Sequence, residues 1–317
     1  MISFVIIGKN ISMTISKSID SVIKTISYNK IKKYEIIYID SNSNDDSVNK
    51  ALPYNNIKIY KITRSPNAAI ARNLGFNKSK GDVIFFIDGD MEIIPKTLKN
   101  IYNEQDGLFF PFVSGDYIDY NYSADKIIEK KKYYNLNSNE YQVTTGGLFL
   151  IKRELWLKVG GMRTIFRRSQ DLDLGLRLSN IGFPLLRLKD VLSIHHTIDY
   201  NNDKRYLEDL LNGNFLYQGL LYKYNIFNRR IYSTYIIREI TFFILIFVII
   251  YNFLSFSPLL FLAYFFALFL KLVYKEKAFK EFTKFFIRFI IQDFNLLFSL
   301  LFFWPLGTKE IYFKKIK

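Results

Sequence analysis

The stretch "VIFFIDGDMEII" (residues 83–94) decides the fold. Five apolar residues run without interruption into Asp88, Gly89 and Asp90. An unbroken apolar run of this length reads as a strand buried on both faces. Such strands belong to parallel sheets covered by helices, which bind ligands outside the carboxyl ends of their strands. Two carboxylates at that end form either a plain turn, since Asp and Gly are common turn residues, or a pair of oxygen ligands for a cation.

The same pattern recurs to either side. "ISFVII" (2–7) ends at Gly8, and "YEIIYID" (34–40) ends at Asp40 before the turn-rich "SNSNDDS". "IKIYKI" (57–62) is a further strand, residues 12–27 are helix-like, and "PNAAIARNLGFNKSKG" (66–81) reads as a helix closed by Gly81. Alternating strands and helices predict an α/β domain with a parallel sheet. Gly8, Asp40 and Asp88 then gather at one sheet edge. Further on, "GLFFPFVSGDYI" (107–118) and "TGGLFLIKR" (145–153) predict strands, and "SADKIIEKKKYYN" (123–135) a helix. "SQDLDLGLRLSNIG" (169–182) alternates leucines as a strand does. Ser169 as N-cap, the early Asp residues and Gly182 favour a helix there.

From Ile240 the composition changes. "ITFFILIFVIIYNFLSF" (240–256) carries no charge, and "SPLLFLAYFFALFLKLVY" (257–274) carries only Lys271. Each is close to the minimum for a membrane span, and the short link makes them a hairpin. Arg229, Arg230 and Arg238 precede the pair, and Lys271, Lys275, Lys277, Lys280 and Lys284 follow it, which puts both ends in the cytoplasm. The competing reading is a buried helical pair in a soluble core. Residues 279–304 are apolar but interrupted by charges, so an interfacial or re-entrant helix anchored by Trp304 is expected. The expected division is a globular domain over residues 1–225 and membrane-associated helices over 226–317.

The chain carries 44 Lys and Arg against 29 Asp and Glu, a formal net charge of +15. An excess of that size suits nucleic acid, an anionic membrane surface or anionic substrates. No helix-turn-helix, zinc-finger spacing or RNP-like motif is present, and the basic residues are dispersed, so nucleic acid is not an expected partner. The absence of cysteine excludes disulfides, thiolate metal sites and a cysteine nucleophile. "MISFVIIGKN" is too short in its apolar run for a signal peptide and reads as a first strand.

Four pieces occur in order: "YIDSNSNDDS" (38–47), "AIARNLG" (69–75), "FIDGDM" (86–91), and "GGLFLIKRELWLKVGGM" (146–162) running into "SQDLDLGLRL" (169–178). Their order and spacing resemble the family 2 glycosyltransferases of the GT-A fold, membrane-anchored bacterial type, over roughly residues 2–200. The resemblance implies a Rossmann-like nucleotide-diphospho-sugar transferase domain. It further implies an inverting, metal-dependent reaction using Mn²⁺ or Mg²⁺, with Asp88 and Asp90 as the DxD ligands. His195 matches a third ligand better than His196, since strand neighbours point to opposite faces. Asp40 resembles the acid of the nucleoside pocket, although Ser41 stands where relatives that use UDP often carry a second acid, leaving dTDP- and GDP-linked donors open. Arg72 and Gly89 resemble nucleotide contacts, and Gly146 and Gly147 resemble the glycines beneath the acceptor sugar. Asp171 matches the general base, with Asp173 the competitor and Gln170 in place of the usual Glu. Arg177 supports either the fold or the pyrophosphate. Trp156 is read as core in preference to a sugar platform. The implied partners are a nucleotide-diphospho-sugar, a membrane-associated glycan or polyprenyl-linked acceptor, and the bilayer. The implied location is the cytoplasmic face of the membrane. Transfer of one sugar to a polyprenyl phosphate, and a catalytically silent scaffold that binds nucleotide, are the alternatives.

Overall fold

The apolar runs are strands. β1 (Ile2–Gly8), β2 (Tyr34–Asp40), β3 (Ile57–Ile62) and β4 (Val83–Asp88) are parallel, in the spatial order β4-β1-β2-β3. Gly8 pairs with Asp40 and Ile7 with Asp88, so the carboxyl ends are level. The side-chain alternation of β1 divides the core. Ile2, Phe4 and Ile6 pack with α1 (Ile15–Tyr28) through Ile15, Ile19 and Val22. Val5 and Ile7 pack with α3 (Ala68–Lys78) through Ala71 and Leu74. Burying each Ile or Leu contributes about 1.5–3 kcal/mol. The short helix α2 (Ser47–Ala51) follows β2. This computed structural model describes residues 1–123, 126–197, 203–235, 239–255, 260–274, 281–308 and 310–317.

Beyond β4 the sheet becomes mixed. β5 (Met91–Ile93) is followed by a separate hairpin of β6 (Tyr102–Asn103) and β7 (Gly107–Leu108). Then come β8 (Phe112–Ser123), β9 (Lys126–Lys132), β10 (Glu140–Gln142), β11 (Leu148–Lys152), α4 (Arg153–Lys158), α5 (Gln170–Asn180) and β12 (Leu185–Thr197). The full path is β10-β12-β8-β11-β4-β1-β2-β3-β13, with β13 at Phe313–Lys315. Two pairings matter for the site. β11 runs antiparallel to β4 with Leu148 opposite Ile87, which sets Gly147 beside Asp88. β12 runs antiparallel to β5 with His195 opposite Met91, which sets the imidazole beside Asp90.

The helix expected over 123–135 is not formed. Lys126–Lys132 is a strand that pairs with the outer half of β8. All seven of its residues are exposed, so there was no apolar stripe for a helix to bury, and the unpaired edge of β8 decided the outcome. The 169–182 segment is a helix, but Ser169 sits at φ 62° and makes no side-chain cap bond.

The chain divides into two compact units, Met1–Asp203 with Leu306–Lys317, and Lys204–Pro305. This division falls earlier than the expected boundary at 225, and it returns the last twelve residues to the first unit. In the second unit, Leu245, Val248, Tyr264, Leu268, Leu272 and Phe289 form a core between helices Ile240–Ser255, Leu260–Tyr274 and Phe282–Phe302. Phe253, Leu254, Phe266, Phe298 and Phe302 face outward. Among the described residues, Phe282–Phe302 is the helix long and apolar enough to cross a membrane; the expected hairpin consists of two shorter apolar helices. Arg238, Lys275, Lys277, Lys280 and Lys309 lie outside the described residues.

Candidate active site

A cleft of about 300 Å³ opens at the carboxyl ends of β1 and β4, lined among others by Gly8, Ser41, Asn67, Asp88, Gly89 and Asp90. It lies at the point where the order β4-β1-β2-β3 reverses direction, where doubly wound sheets bind nucleotides. Asn67 caps α3 at its rim by accepting from the Ile70 N–H.

Asp88 meets Arg72, whose Nη2 donates to Oδ1 at 2.7 Å. Arg72 is 2% exposed, and its Nε and Nη1 have no hydrogen-bond partner among the described residues. It is therefore a buried cation, not a solvated residue on a helix face. Burial pushes Asp88 up to about 6, with Arg72 opposing and Asp90 adding to the rise. Gly147 is bare beside this carboxylate because a Cβ there would lie 2.6 Å from Asp88 Oδ2. Gly146 turns at φ +67°, a conformation that suits glycine.

Asp90 Oδ2 lies 3.5 Å from His195 Nε2, and His195 Nδ1 lies 2.8 Å from Asp119 Oδ1. Burial works against the imidazolium, but Asp90 and Asp119 outweigh it and raise His195 to about 9. His196 points to the other face, toward Tyr122 and Glu92. Asp90 Oδ1 is buried without a partner among the described residues. Among the described residues no three acidic or imidazole groups form a ready-made metal cage. The donor set itself, two carboxylates and an imidazole with one carboxylate oxygen orphaned, fits a hard divalent cation.

Asp171 and Asp173 have separated roles. Asp173 is fully buried and clamped by Arg163 at 2.7 Å and Arg177 Nε at 2.9 Å. Arg177 also donates to the carbonyls of Val159 and Gly161, which ties α5 to the α4 turn. Asp171 is half-buried, and its Oδ2 accepts from Thr144 Oγ1 at 2.8 Å. Thr144 lies on the loop that carries Gly146 and Gly147.

Three other expected residues are closely packed. Asp40 is fully buried; Oδ1 accepts from Tyr38 and Oδ2 from the Ser43 N–H, with Lys61 3.8 Å away. Gly89 is packed beneath Ile11. Trp156 is buried, stacked with Phe76 at 5.5 Å.

A family model described as "Glycosyl transferase family 2" matches residues 3–172. The chain belongs to glycosyl transferase family 2. The match ends one residue beyond Asp171, so it takes in every expected site residue except His195. An "Uncharacterized glycosyltransferase" of Haemophilus influenzae is 24% identical over 191 residues, 56% of this chain and 62% of that one. The poly(ribitol-phosphate) beta-N-acetylglucosaminyltransferase TarP of Staphylococcus aureus is 31% identical over 100 residues, 30% of this chain and 29% of TarP. The chain thus spans less than two thirds of the length of these curated relatives. Among solved structures, S. aureus TarS 1-349 in complex with UDP-GlcNAc aligns with TM-score 0.51 at 13% identity, over 70% of this chain and 66% of that one. That likeness is one of fold, a mixed α/β domain of the GT-A type.

Sequence reasoning passed over four residues of this family 2 site. Thr144 stands two positions before the glycine pair, where a hydroxyl was a readable signal. Asp119 lies in the alternating "DYIDYNY" of β8. Arg187 is fully buried, donates to Gln142, Gly115, Ser114 and Thr144, and lies 3.9 Å from the Tyr134 ring. Burial pushes Tyr134 up to about 12. Neither Arg187 nor Tyr134 carried a local signal, because their partners are 18 to 73 positions away in sequence.

Proposed function

We propose that this family 2 chain transfers a sugar from a nucleotide-diphospho-sugar to a lipid-linked or polysaccharide-precursor hydroxyl, with a divalent cation and with inversion. The observation that carries the reading is the Asp88, Asp90 and His195 cluster at the mouth of the nucleotide cleft, with Asp90 Oδ1 buried and unpartnered. Asp88, Asp90 and His195 are the residues that would hold Mn²⁺ or Mg²⁺. When bound, the cation neutralises charge that grows on the departing diphosphate.

The chain's own residues supply the rest. Arg72 orients Asp88 and keeps two unpaired N–H groups, Nε and Nη1, beside the position of the diphosphate. Gly147 leaves room beside Asp88 that a side chain would fill, on the side taken by the acceptor. Asp171 takes the proton of the acceptor hydroxyl as that oxygen attacks the anomeric carbon. The bond from the anomeric carbon to the diphosphate oxygen breaks, and its electron pair leaves with the nucleotide. Thr144 holds one oxygen of Asp171 in place, leaving the other for the acceptor. Inversion requires the base and leaving group on opposite faces of the sugar.

The catalytic unit works at the cytoplasmic face of a membrane, where the outward apolar faces of the C-terminal helices meet lipid. The TarS neighbour holds UDP-GlcNAc, so UDP-linked sugars come first in a donor test. Incubation of membranes containing the chain with a radiolabelled α-linked UDP-sugar and extracted membrane lipid tests the reading. It expects a β-linked product that requires Mn²⁺ or Mg²⁺. An α-linked product, or full transfer in excess chelator, would contradict it.

A further inference from the structure

The chain's last twelve residues belong to the globular unit, although an apolar helical segment of about a hundred residues separates them from it in sequence. The return is a built feature. Phe313, Lys314 and Lys315 pair antiparallel with Ile62, Lys61 and Tyr60 of β3. Backbone bonds from Thr63 to Tyr312 and from Ile59 to Lys317 extend the ladder at 2.8 and 3.0 Å. Lys317 Nζ donates to the carbonyls of Leu52 and Tyr54, and Lys78 Nζ stands 4.4 Å over the Phe313 ring. Ile311 and Ile316 pack against the two faces of the core, and Thr164 Oγ1 donates to the Thr308 carbonyl. β13 also covers the sheet edge that β3 would otherwise expose, and unpaired edges of this kind invite association.

A strand and its pairing partner cannot lie in different compartments. We infer that residues 204–305 enter and leave the bilayer on one face, crossing it an even number of times, so that Phe282–Phe302 is never a lone span. This rests on the bilayer reading above. Helix length by itself points the other way. Ile240–Ser255 and Leu260–Tyr274, of 16 and 15 residues, reach about 24 and 22 Å, short of a core of about 30 Å. Phe282–Phe302, of 21 residues, reaches about 31 Å, so length alone would make it a single crossing and strand the tail outside. The tail's charges support the inference, since Lys314, Lys315 and Lys317 belong on the cytoplasmic side by the positive-inside rule.

The absence of native cysteine makes the test direct. Lys24→Cys on α1 and Lys314→Cys in β13, both exposed, are made separately in the full chain. Right-side-out vesicles are treated with a membrane-impermeant maleimide before and after opening. The inference expects both sites to label to similar extent, and only after opening. Lys314→Cys labelled in sealed vesicles while Lys24→Cys stays protected would overturn it and leave the bilayer reading intact. Recovery of the chain in the supernatant after an alkaline wash would remove the bilayer reading and this inference with it. The double variant Lys61→Cys/Lys314→Cys adds a second measurement. Directly opposed strand residues lie within disulfide range, so oxidation of membranes should crosslink residues 61 and 314. Failure to crosslink in membranes, with crosslinking in detergent, would also overturn the inference.

Discussion

Asp171 and Asp173 sit two residues apart on one helix and do different work. Asp173 is buried against two arginines, whereas Asp171 is half-buried and accepts from Thr144. Asp171→Asn should lower kcat by about 10²–10⁴-fold with little change in donor affinity or Tm, measured by transfer assay and donor titration. A loss under threefold would favour an acceptor that is already anionic, such as a polyprenyl phosphate. Asp173→Asn should instead cost stability, about 3–5 kcal/mol in chemical unfolding, because a fully buried carboxylate is lost from its ion pair with the largely buried Arg177. Gly147→Ala places a methyl 2.6 Å from Asp88 Oδ2. It should abolish cation-dependent donor binding while the far-ultraviolet circular dichroism is unchanged. Donor binding as in the wild type would show that Asp88 does not need this opening.

At the scale of elements, the strand runs and the α3 helix were legible because each carried its signal locally: continuous apolar residues for β1, β2 and β4, and a stretch between strands for α3, which ends at Lys78 before the expected stop at Gly81. β9 was not, because "KIIEKKK" has no decisive periodicity and its structure comes from β8, a partner remote from its own pattern. The site followed the same rule. Asp88, Asp90 and Asp171 stood out as motifs, whereas Arg187 depends on the Ser114 hydroxyl and the carbonyls of Gly115 and Thr144, from two remote segments. Glu35 shows how elements are tied. Its carboxylate accepts from Ser3 on β1, from Lys58 on β3 and from the Lys80 N–H before β4. Burial alone would raise Glu35, but these donors outweigh it and hold it below its ordinary value. A lowered folded pKa contributes stability above the unfolded value of 4.5, and that contribution is lost as pH falls through the lower folded value. Glu35→Gln should therefore cost about 1 kcal/mol at pH 7 and narrow its gap to the wild type below pH 4, read from urea unfolding across pH. A gap independent of pH would refute the ionic part of this account.

At the scale of the whole molecule, one sheet of eleven strands unites the parallel half, the mixed half and the returning tail. The change of composition at Ile240 was plain in sequence, but the tail's return was not, because three residues of "FKK" reveal a strand only once β3 is beside them. The central claim remains that the β4 terminus is a cation-assisted donor site. Thermal unfolding of the detergent-solubilised full chain with UDP-, dTDP- and GDP-sugars, with and without Mn²⁺, tests it most directly when run beside Asp90→Ala. The account predicts that one nucleotide class raises Tm by several degrees with Mn²⁺ present, that omitting Mn²⁺ removes most of the rise, and that Asp90→Ala removes all of it. Equal stabilisation of Asp90→Ala and wild type, or no response to any nucleotide sugar, would contradict it.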